Sequence, residues 1–292
     1  MLGEGSESEV YALDDERVVR VPRSVPIAVE PLHRRKAFLD RIAGALPFRT
    51  PEIETIAEDG VTIEKRLPGR PMTDALRTVH GEPRRRALRS YFEAAAAVSD
   101  LPWPDTSFGL LLAETPITAE QWTTFLAVTL DQRAEHHAAH LRATFGDLEG
   151  LLSKAHDLLR KVPGRPRKVL AHGDIFPGNI MLDADMNVSA ILDFGAWTLV
   201  AEPHYDIAGA VMFAEVTTEC VPEDGRYLRV LLAERCGDPL PPAFAFYRAY
   251  FAFTLFDPNA AEGLYPKLQP WNIATLGQLR DGTITDWLRL PR

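Results

Sequence analysis

The chain has little cysteine and no long apolar run. Its 292 residues include two cysteines, Cys220 and Cys236, which are too few for a disulfide framework and have no His or Cys partner at metal-site spacing. No stretch approaches the roughly 18 apolar residues that indicate a membrane-spanning helix. The first ten residues, MLGEGSESEV, lack the basic and apolar regions of a signal peptide. We therefore expect a cytoplasmic protein with reduced thiols and no membrane partner.

An excess of basic residues is also missing. Lys and Arg number 32 against 41 Asp and Glu, which gives a formal net charge of -9. A nucleic-acid partner requires a basic face that neutralises phosphates, so the charge argues against one. The composition, with 46% hydrophobic and 25% charged residues, is typical of a globular protein.

The most informative motif lies between Leu170 and Gly195. His172, Asp174 and Asn179 have the H-x-D-x-x-x-x-N spacing found in kinase catalytic loops. The single alternative is that these polar residues only cap loops and end a strand. The combined spacing with the hairpin that follows favours a functional site.

The segment between Asn179 and Asp193 predicts a β-hairpin with its turn at 183–187. Antiparallel pairing then returns Asp193, the first residue of an Asp-Phe-Gly triplet, to the same end of the hairpin as Asn179. Two oxygen side chains beside the carboxylate of Asp174 form a site for a hard cation. The sequence therefore predicts Mg2+, held by Asn179, Asp193 and substrate phosphates.

The order of predicted elements indicates a bilobal α+β protein. Residues 1–67 favour strands and turns around one helix and form the expected nucleotide-binding lobe, whereas residues 68–292 are mostly helical and carry the catalytic loop. An active site is expected in the cleft between them. The expected elements are strands at 9–13, 17–21, 53–57 and 61–67, a linker at 68–71, and helices at 32–46, 88–98, 118–145 (opened by a Thr118–Gln121 capping box), 148–162, from 206, and 243–255.

The N-terminal segment carries candidate phosphate ligands. Gly3, Gly5 and Ser6 precede the first strand, and glycines let backbone N–H groups approach phosphates closely. A flexible tail would have the same composition, so this motif is weak by itself.

A strand cation and a backbone hinge complete the expected nucleotide site. A kinase holds the α- and β-phosphates with a cation on the second or third strand. Arg20 takes this place, with Arg23 as the second candidate and a solvated strand arginine as the alternative. The backbone at Glu64 and Arg66, just before Pro68, is expected to receive the adenine.

Together these residues resemble the aminoglycoside phosphotransferase family, the small-molecule branch of the protein-kinase-like fold. Gly173, where protein kinases have Arg, favours this branch. The resemblance is carried by residues 3–11, 18–23, 67–69, 172–174, 179 and 193, and by the stretch Glu-Pro-His-Tyr-Asp-Ile-Ala at 202–208.

The resemblance implies transfer of the γ-phosphate of ATP or GTP to a hydroxyl of a small molecule. In this family the acceptor is usually an antibiotic of the aminoglycoside, macrolide or tuberactinomycin type, which is thereby inactivated. Asp174 would accept the proton of the hydroxyl or orient it. Asn179 and Asp193 would bind Mg2+, Arg20 would hold phosphates, and Asp206 would brace the catalytic loop.

Two residues depart from the family pattern. Arg20 replaces the usual Lys, and Lys36 stands where the first helix would offer a Glu to that cation. Glu30 is the nearest acid, so either it substitutes or the pair between cation and carboxylate is absent.

Substrate recognition is expected from the helical lobe after Asp206. The aromatic residues at 247–256 have helical spacing, which favours a core position. His136 and His140 lie one turn apart but have no third metal ligand nearby. The candidates to face a ligand are Trp197, Asp257, Glu262 and Trp271.

Two other functions stay open. One is a metabolite kinase that acts on a small alcohol such as an amino alcohol. The other is a nucleotide-binding pseudokinase scaffold, which the missing helix Glu supports and the intact Asp174, Asn179 and Asp193 oppose.

Overall fold

The structure is a computed structural model that describes residues 3–4, 8–23, 28–104, 106–258 and 266–290. Its strands form three antiparallel sheets, and helices make up most of the chain after residue 71. Among these described residues no helix is both long and apolar enough to cross a bilayer. The predicted α+β fold class is confirmed.

A five-stranded sheet in the order β1-β2-β3-β5-β4 forms the first part of the chain. The β2–β3 turn is fixed by Asp14, whose Oδ1 accepts the N–H groups of Glu16 at 2.9 Å and Arg17 at 2.7 Å. The predicted strands are all present. The bounds are β1 Gly3–Glu4, β2 Ser8–Ala12, β3 Arg17–Pro22, β4 Ile53–Ile56 and β5 Thr62–Lys65.

The first helix, α1 at Val29–Ile42, packs Phe38, Leu39 and Ile42 into the interior. It ends four residues before the predicted Leu46, because the chain leaves helical geometry at Ala43 and Gly44 follows with φ +72°. Leu46 is still buried, which explains why the periodicity continued beyond the helix end.

The expected linker at 68–71 is in part a strand, β6 at Arg70–Pro71. It pairs with the catalytic hairpin through Leu182 and Met181. Gly69 makes this approach possible, since a Cβ at its φ of +105° would lie 2.4 Å from the carbonyl oxygen of Leu182. The junction is thus fixed against the hairpin.

The remaining chain consists of nine helices and two small sheets in the described residues, β11-β10-β6 and β8-β7-β12-β9. The helices are α2 Met72–Leu76, α3 Gly81–Asp100, α4 Trp122–His136, α5 Ala138–Phe145, α6 Leu148–Leu159, α7 Tyr205–Val216, α8 Pro222–Cys236, α9 Ala243–Thr254 and α10 Leu268–Asp281. The strands are β7 Phe108–Leu110, β8 Thr118–Ala119, β9 Val169–Ala171, β10 Ile180–Leu182, β11 Val188–Ile191 and β12 Leu199–Ala201. Short 3-10 turns occupy Pro177–Asn179 and Ile284–Leu288.

The single long helix predicted at 118–145 is wrong. Thr118 and Ala119 form β8, paired with β7, so Thr118 cannot cap a helix. The helix begins at Trp122, whose N–H donates to the carbonyl of Gly164 at 2.8 Å. It is interrupted at His137, which packs edge-on against Phe256.

The core lies between α7 and α9, with α3, α4 and α6 around them. Every residue of α7 except Glu215 is buried, and the aromatic residues of α9 are buried with it. Tyr247 is fully enclosed, and its hydroxyl accepts the indole N–H of Trp122 at 2.9 Å. The catalytic loop packs against this core through α7.

Candidate active site

The hairpin brings the two predicted metal residues together. Ile180 pairs with Ile191, and the N–H of Leu192 donates to the carbonyl of Asn179 at 2.8 Å. Asp193 follows directly in a left-handed conformation with φ 59°. The predicted hairpin is therefore confirmed.

Asn179 is hydrogen-bonded to Asp174 twice. Its amide nitrogen donates to the backbone carbonyl of Asp174 at 2.8 Å and to Asp174 Oδ2 at 3.1 Å. Since the nitrogen is used in this way, the Oδ1 atom of Asn179 is the group left to act as an acceptor. Asn179 and Asp174 are thus directly connected, and Asp193 is near enough for its charge to raise the pKa of Asp174.

His172 fastens the catalytic loop to the end of the hairpin. It is fully buried, its Nε2 lies 2.7 Å from the carbonyl of Leu192, and its Nδ1 accepts the N–H of Asp174 at 3.2 Å. A carbonyl partner requires a proton on Nε2, and an N–H donor requires none on Nδ1. Burial lowers the pKa of His172, so the neutral ring fits both bonds.

Asp206 braces the loop from α7, as predicted. Its Oδ2 accepts the N–H of His172 at 2.6 Å, and its Oδ1 accepts the N–H of Gly173 at 3.0 Å. Burial raises the pKa of Asp206 to about 7, and the two N–H donors oppose that rise. Glu202, at the start of the same motif, is buried, and its Oε2 lies 3.1 Å from Nδ1 of His204.

Gly173 has a steric reason to be glycine. Its φ is +78°, and a Cβ there would lie 2.0 Å from the carbonyl oxygen of Trp197. The arginine that protein kinases carry at this point could not fit without moving the chain around Trp197.

The electrostatics of Asp174 suit a proton acceptor. Burial raises its pKa to about 6, the negative charge of Asp193 adds to the rise, and the hydrogen bond from Asn179 opposes it. A general base works best when its pKa lies near the working pH. Asp174 is thus a carboxylate at neutral pH, yet more basic than an exposed aspartate.

Arg20 finds its carboxylate on the neighbouring strand. Its Nε lies 3.2 Å from Glu64 Oε1, and its Nη1 donates to Ser8 Oγ at 2.9 Å. Glu30 does not substitute for the missing helix Glu, because it pairs with Arg34 at 2.8 Å. The pair of cation and carboxylate therefore lies within the five-stranded sheet.

The first helix contributes a residue that the sequence analysis missed. Arg35 Nη2 lies 3.8 Å from Asp193 Oδ1, and the Arg35 side chain is 14% exposed. Lys36, which the family pattern aligns with the helix Glu, instead pairs with Asp40 at 3.1 Å. The sequence His-Arg-Arg-Lys at 33–36 indicates that this helix carries cations. Which of them faces Asp193 depends on the rotation of the helix about its axis, which the sequence does not specify.

The other nucleotide candidates are only partly described. Gly3 lies in β1 opposite Val10, whereas Gly5 and Ser6 lie outside the described residues. The N–H of Arg66 donates to the carbonyl of Glu16 at 2.7 Å. Adenine recognition by the backbone at 64–67 stays a prediction.

Arg23, the second candidate for the phosphate cation, lies 3.8 Å from Glu9 Oε1. Arg20 has two contacts that fix its guanidinium, one to Glu64 and one to Ser8, and it stays the predicted phosphate ligand.

A cavity of about 420 Å3 opens onto Gly173 and Asp174. Its walls come mainly from α4, α7, α9 and the segment around Trp197, and they combine aromatic and aliphatic side chains with a few polar ones. The aromatic lining residues are Phe125, Trp197, Tyr205, Phe213, Tyr250 and Phe251. Asp174 thus lines a space large enough for a small molecule.

Of the residues predicted to face a ligand, Trp197 lines this cavity and Trp271 does not. The indole of Trp271 donates to Glu215 Oε2 at 2.7 Å. Asp257 is exposed and absent from the lining, and Glu262 lies outside the described residues. Tyr250 and Phe251, which the spacing assigned to the core, belong to both core and cavity wall.

The family model described as "Phosphotransferase enzyme family" matches residues 2–250. The chain belongs to this family. The match confirms the family inferred from the motifs and the predicted class of enzyme, a small-molecule phosphotransferase. No curated protein sequence matches the chain.

Solved structures of phosphotransferases share its fold. A thermostable mutant of aminoglycoside phosphotransferase APH(4)-Ia, in a ternary complex with AMP-PNP and hygromycin B, is 19% identical with a TM-score of 0.70, covering 96% of this chain and 92% of that one. Aminoglycoside phosphotransferase APH(2'')-Ib, bound to ADP, is 14% identical with a TM-score of 0.60, covering 99% and 93%. Macrolide 2'-phosphotransferase MphH from Brachybacterium faecium is 16% identical with a TM-score of 0.52, covering 99% and 94%.

The donor atoms of this phosphotransferase at the hairpin end suit Mg2+. Asn179 offers an amide oxygen, and Asp193 offers a carboxylate that is 54% exposed. Mg2+ prefers oxygen ligands and keeps several positions for water and substrate phosphates. No cluster of three His, Cys, Asp or Glu side chains that could hold a metal occurs among the described residues, so an ion here would depend on nucleotide phosphates for its other ligands.

Proposed function

We propose that the chain transfers the γ-phosphoryl group of ATP or GTP to a hydroxyl of a small molecule, with Mg2+ on the nucleotide. The observation that carries this proposal is Asp174, which lines the cavity, is hydrogen-bonded to Asn179 and has its pKa raised by burial and by the nearby charge of Asp193. Residues 1–67 form the nucleotide-binding lobe and residues 68–292 the lobe for catalysis and acceptor binding. The nucleotide supply makes the cytoplasm the expected compartment.

Asp174 acts on the acceptor hydroxyl. The hydroxyl oxygen attacks the γ-phosphorus, the bond from that phosphorus to the bridging oxygen breaks, and the proton of the hydroxyl passes to the Asp174 carboxylate. Asn179 holds Asp174 Oδ2 in place, and neutral His172 holds its backbone N–H. Little covalent chemistry is asked of the protein, because positioning and charge neutralisation do most of the work in phosphoryl transfer.

The nucleotide end is assembled from three elements, which are the catalytic hairpin, the five-stranded sheet and α1. Asn179 and Asp193 would hold Mg2+, which supplies positive charge to the phosphate oxygens. Arg20, fixed by Glu64, is the phosphate ligand from the sheet. Arg35, from α1, places a guanidinium beside Asp193.

A pseudokinase scaffold loses its main support. That alternative relied on the missing helix Glu, but Arg20 has a carboxylate partner in Glu64. This ion pair within the sheet supports an active kinase over a scaffold. Antibiotic hydroxyls and simple alcohols remain the acceptor classes to distinguish.

A screen for nucleotide consumption tests the proposal. Purified protein with Mg2+ and ATP or GTP is incubated with aminoglycosides, macrolides, tuberactinomycins and simple amino alcohols, and products are identified by mass as the acceptor plus one phosphate. Turnover that disappears in Asp174→Ala supports the proposal. Nucleotide binding with no transfer to any hydroxyl compound, including the probes described below, would favour the scaffold.

A further inference from the structure

The charged side chains that line the cavity bear on the kind of acceptor it can bind. Among the lining residues that the structure describes, Asp174 is the one carboxylate, and it serves the reaction. Arg133 and His136, both on α4, add basic groups to the wall. Within the described part of the lining, a polyamine would find no counter-ion apart from the catalytic base.

Arg133 is held in place without an acidic partner. Its guanidinium lies over the ring of Trp197, 5.2 Å from the ring centroid. No carboxylate of the described residues forms an ion pair with it, so its charge is available to a ligand. Its stacking also covers one face of Trp197, which an ammonium group would otherwise use.

The cavity is also apolar enough to penalise unpaired charge. Tyr250 and Phe251 are buried at its wall. An ammonium group placed there would lose its water and, among the described lining residues other than Asp174, would meet only apolar side chains, ring faces, the basic groups of α4 and neutral polar groups such as Thr129 and Gln132. A flat apolar ring loses nothing there, and it gains contact area and favourable ring packing.

We infer that the acceptor is a hydroxy compound with a flat apolar body and a carboxylate or similar hydrogen-bond acceptor that binds Arg133, rather than a polycation. This inference rests on the proposed function for the meaning of "acceptor". The apolar body packs against Trp197, Tyr250 and Phe251, and the hydroxyl points towards Asp174. Arg133 determines specificity at the end of the cavity formed by α4.

Three matched glycosides test the inference by binding alone, without nucleotide. They are naphthyl glucuronide, naphthyl glucoside and naphthyl glucosaminide, which share a ring and sugar hydroxyls and are anionic, neutral and cationic. Isothermal titration calorimetry on the full chain should show affinity falling in that order, by about tenfold or more from first to last, the value of a hydrogen-bonded charge. Gentamicin should show no binding.

Variants assign the effect to its residue. Arg133→Gln should remove the preference for the glucuronide and leave the glucoside within about threefold, whereas Arg133→Lys should keep part of the preference. Trp197→Ala should weaken all three naphthyl ligands. Arg142→Gln, an exposed arginine on α5 that pairs with Glu149, is the matched control and should bind as the unmodified chain does.

Several results would overturn the inference: tighter or equal binding of the glucosaminide, binding of gentamicin, unchanged selectivity in Arg133→Gln, or no binding of any naphthyl glycoside. Mg2+-nucleotide binding is measured in parallel. Loss of nucleotide binding counts against the proposed function and leaves the acceptor result intact, so the two failures are distinguishable.

Discussion

The side-chain amide of Asn179 donates two hydrogen bonds to Asp174, one to its backbone carbonyl at 2.8 Å and one to its Oδ2 at 3.1 Å. The residue expected to hold a metal ion therefore also sets the position and the basicity of the expected proton acceptor. A change at Asn179 alters Asp174 even when no metal is present.

Asn179→Asp should move the acid limb of the pH–rate profile to higher pH by about one unit. The substitution removes a hydrogen bond to the Asp174 carboxylate and adds a like charge beside it. Both changes raise the pKa of Asp174. Initial rates across pH 5 to about 9 check this. Asn187→Asp, on the exposed turn of the same hairpin, is the control and should leave the limb in place; equal shifts in both variants would contradict the account.

The unmodified enzyme should lose activity as the pH falls through about 6. The pKa of Asp174 is raised to about 6 by burial and then by Asp193, and the carboxylate is the active form, so protonation below that pH removes the base. The limb in kcat/KM for the nucleotide reports the free enzyme. Mg2+ held with the nucleotide would offset the charge of Asp193, so the limb in kcat should lie at lower pH, and the reverse order would count against this mechanism.

Glu64→Gln should raise KM for the nucleotide by about tenfold with a smaller effect on kcat, because Arg20 loses the carboxylate of its ion pair. Steady-state kinetics at saturating acceptor measures it. Glu30→Gln, which removes the pair with Arg34 instead, is the matched control. If Glu30→Gln raises KM as much as Glu64→Gln does, the sheet pair is not the one that positions Arg20.

Gly173→Ala should destabilise the protein much more than Gly44→Ala. Both glycines have positive φ, but a Cβ at Gly44 meets nothing within 4 Å, whereas one at Gly173 would lie 2.0 Å from Trp197 O. Gly44→Ala carries only the left-handed strain of about 1–2 kcal/mol, and Gly173→Ala adds a clash with backbone. Thermal unfolding of the two variants compares them, and similar midpoints would show that the loop around Trp197 yields easily.

The sequence predicts those parts of the site that depend on residues close together in the chain. The spacing from His172 to Asp193 requires one short hairpin, and a turn with matched arms leaves little freedom in register. Asp206 was also predictable, because its motif places it at the start of a helix.

Other features depend on contacts between distant segments. The Arg20–Glu64 pair follows from the register of β3 on β5, in which Val18 lies opposite Glu64, and no local pattern specifies it. Thr118 and Gln121 have the spacing of a capping box, but pairing with β7 draws Thr118 into a strand. The cavity joins α4 to α9, more than a hundred residues apart, so Arg133 could not be assigned to it beforehand.

The most direct test compares Mg2+-nucleotide binding with turnover in two variants. Asp174→Ala should bind Mg2+-ATP nearly as well as the unmodified enzyme and lose at least about 10²–10⁴-fold in rate, the contribution of a general base. Asp193→Ala should lose Mg2+-dependent nucleotide binding and turnover together. If Asp174→Ala turned over as fast as the unmodified enzyme, the account would be contradicted.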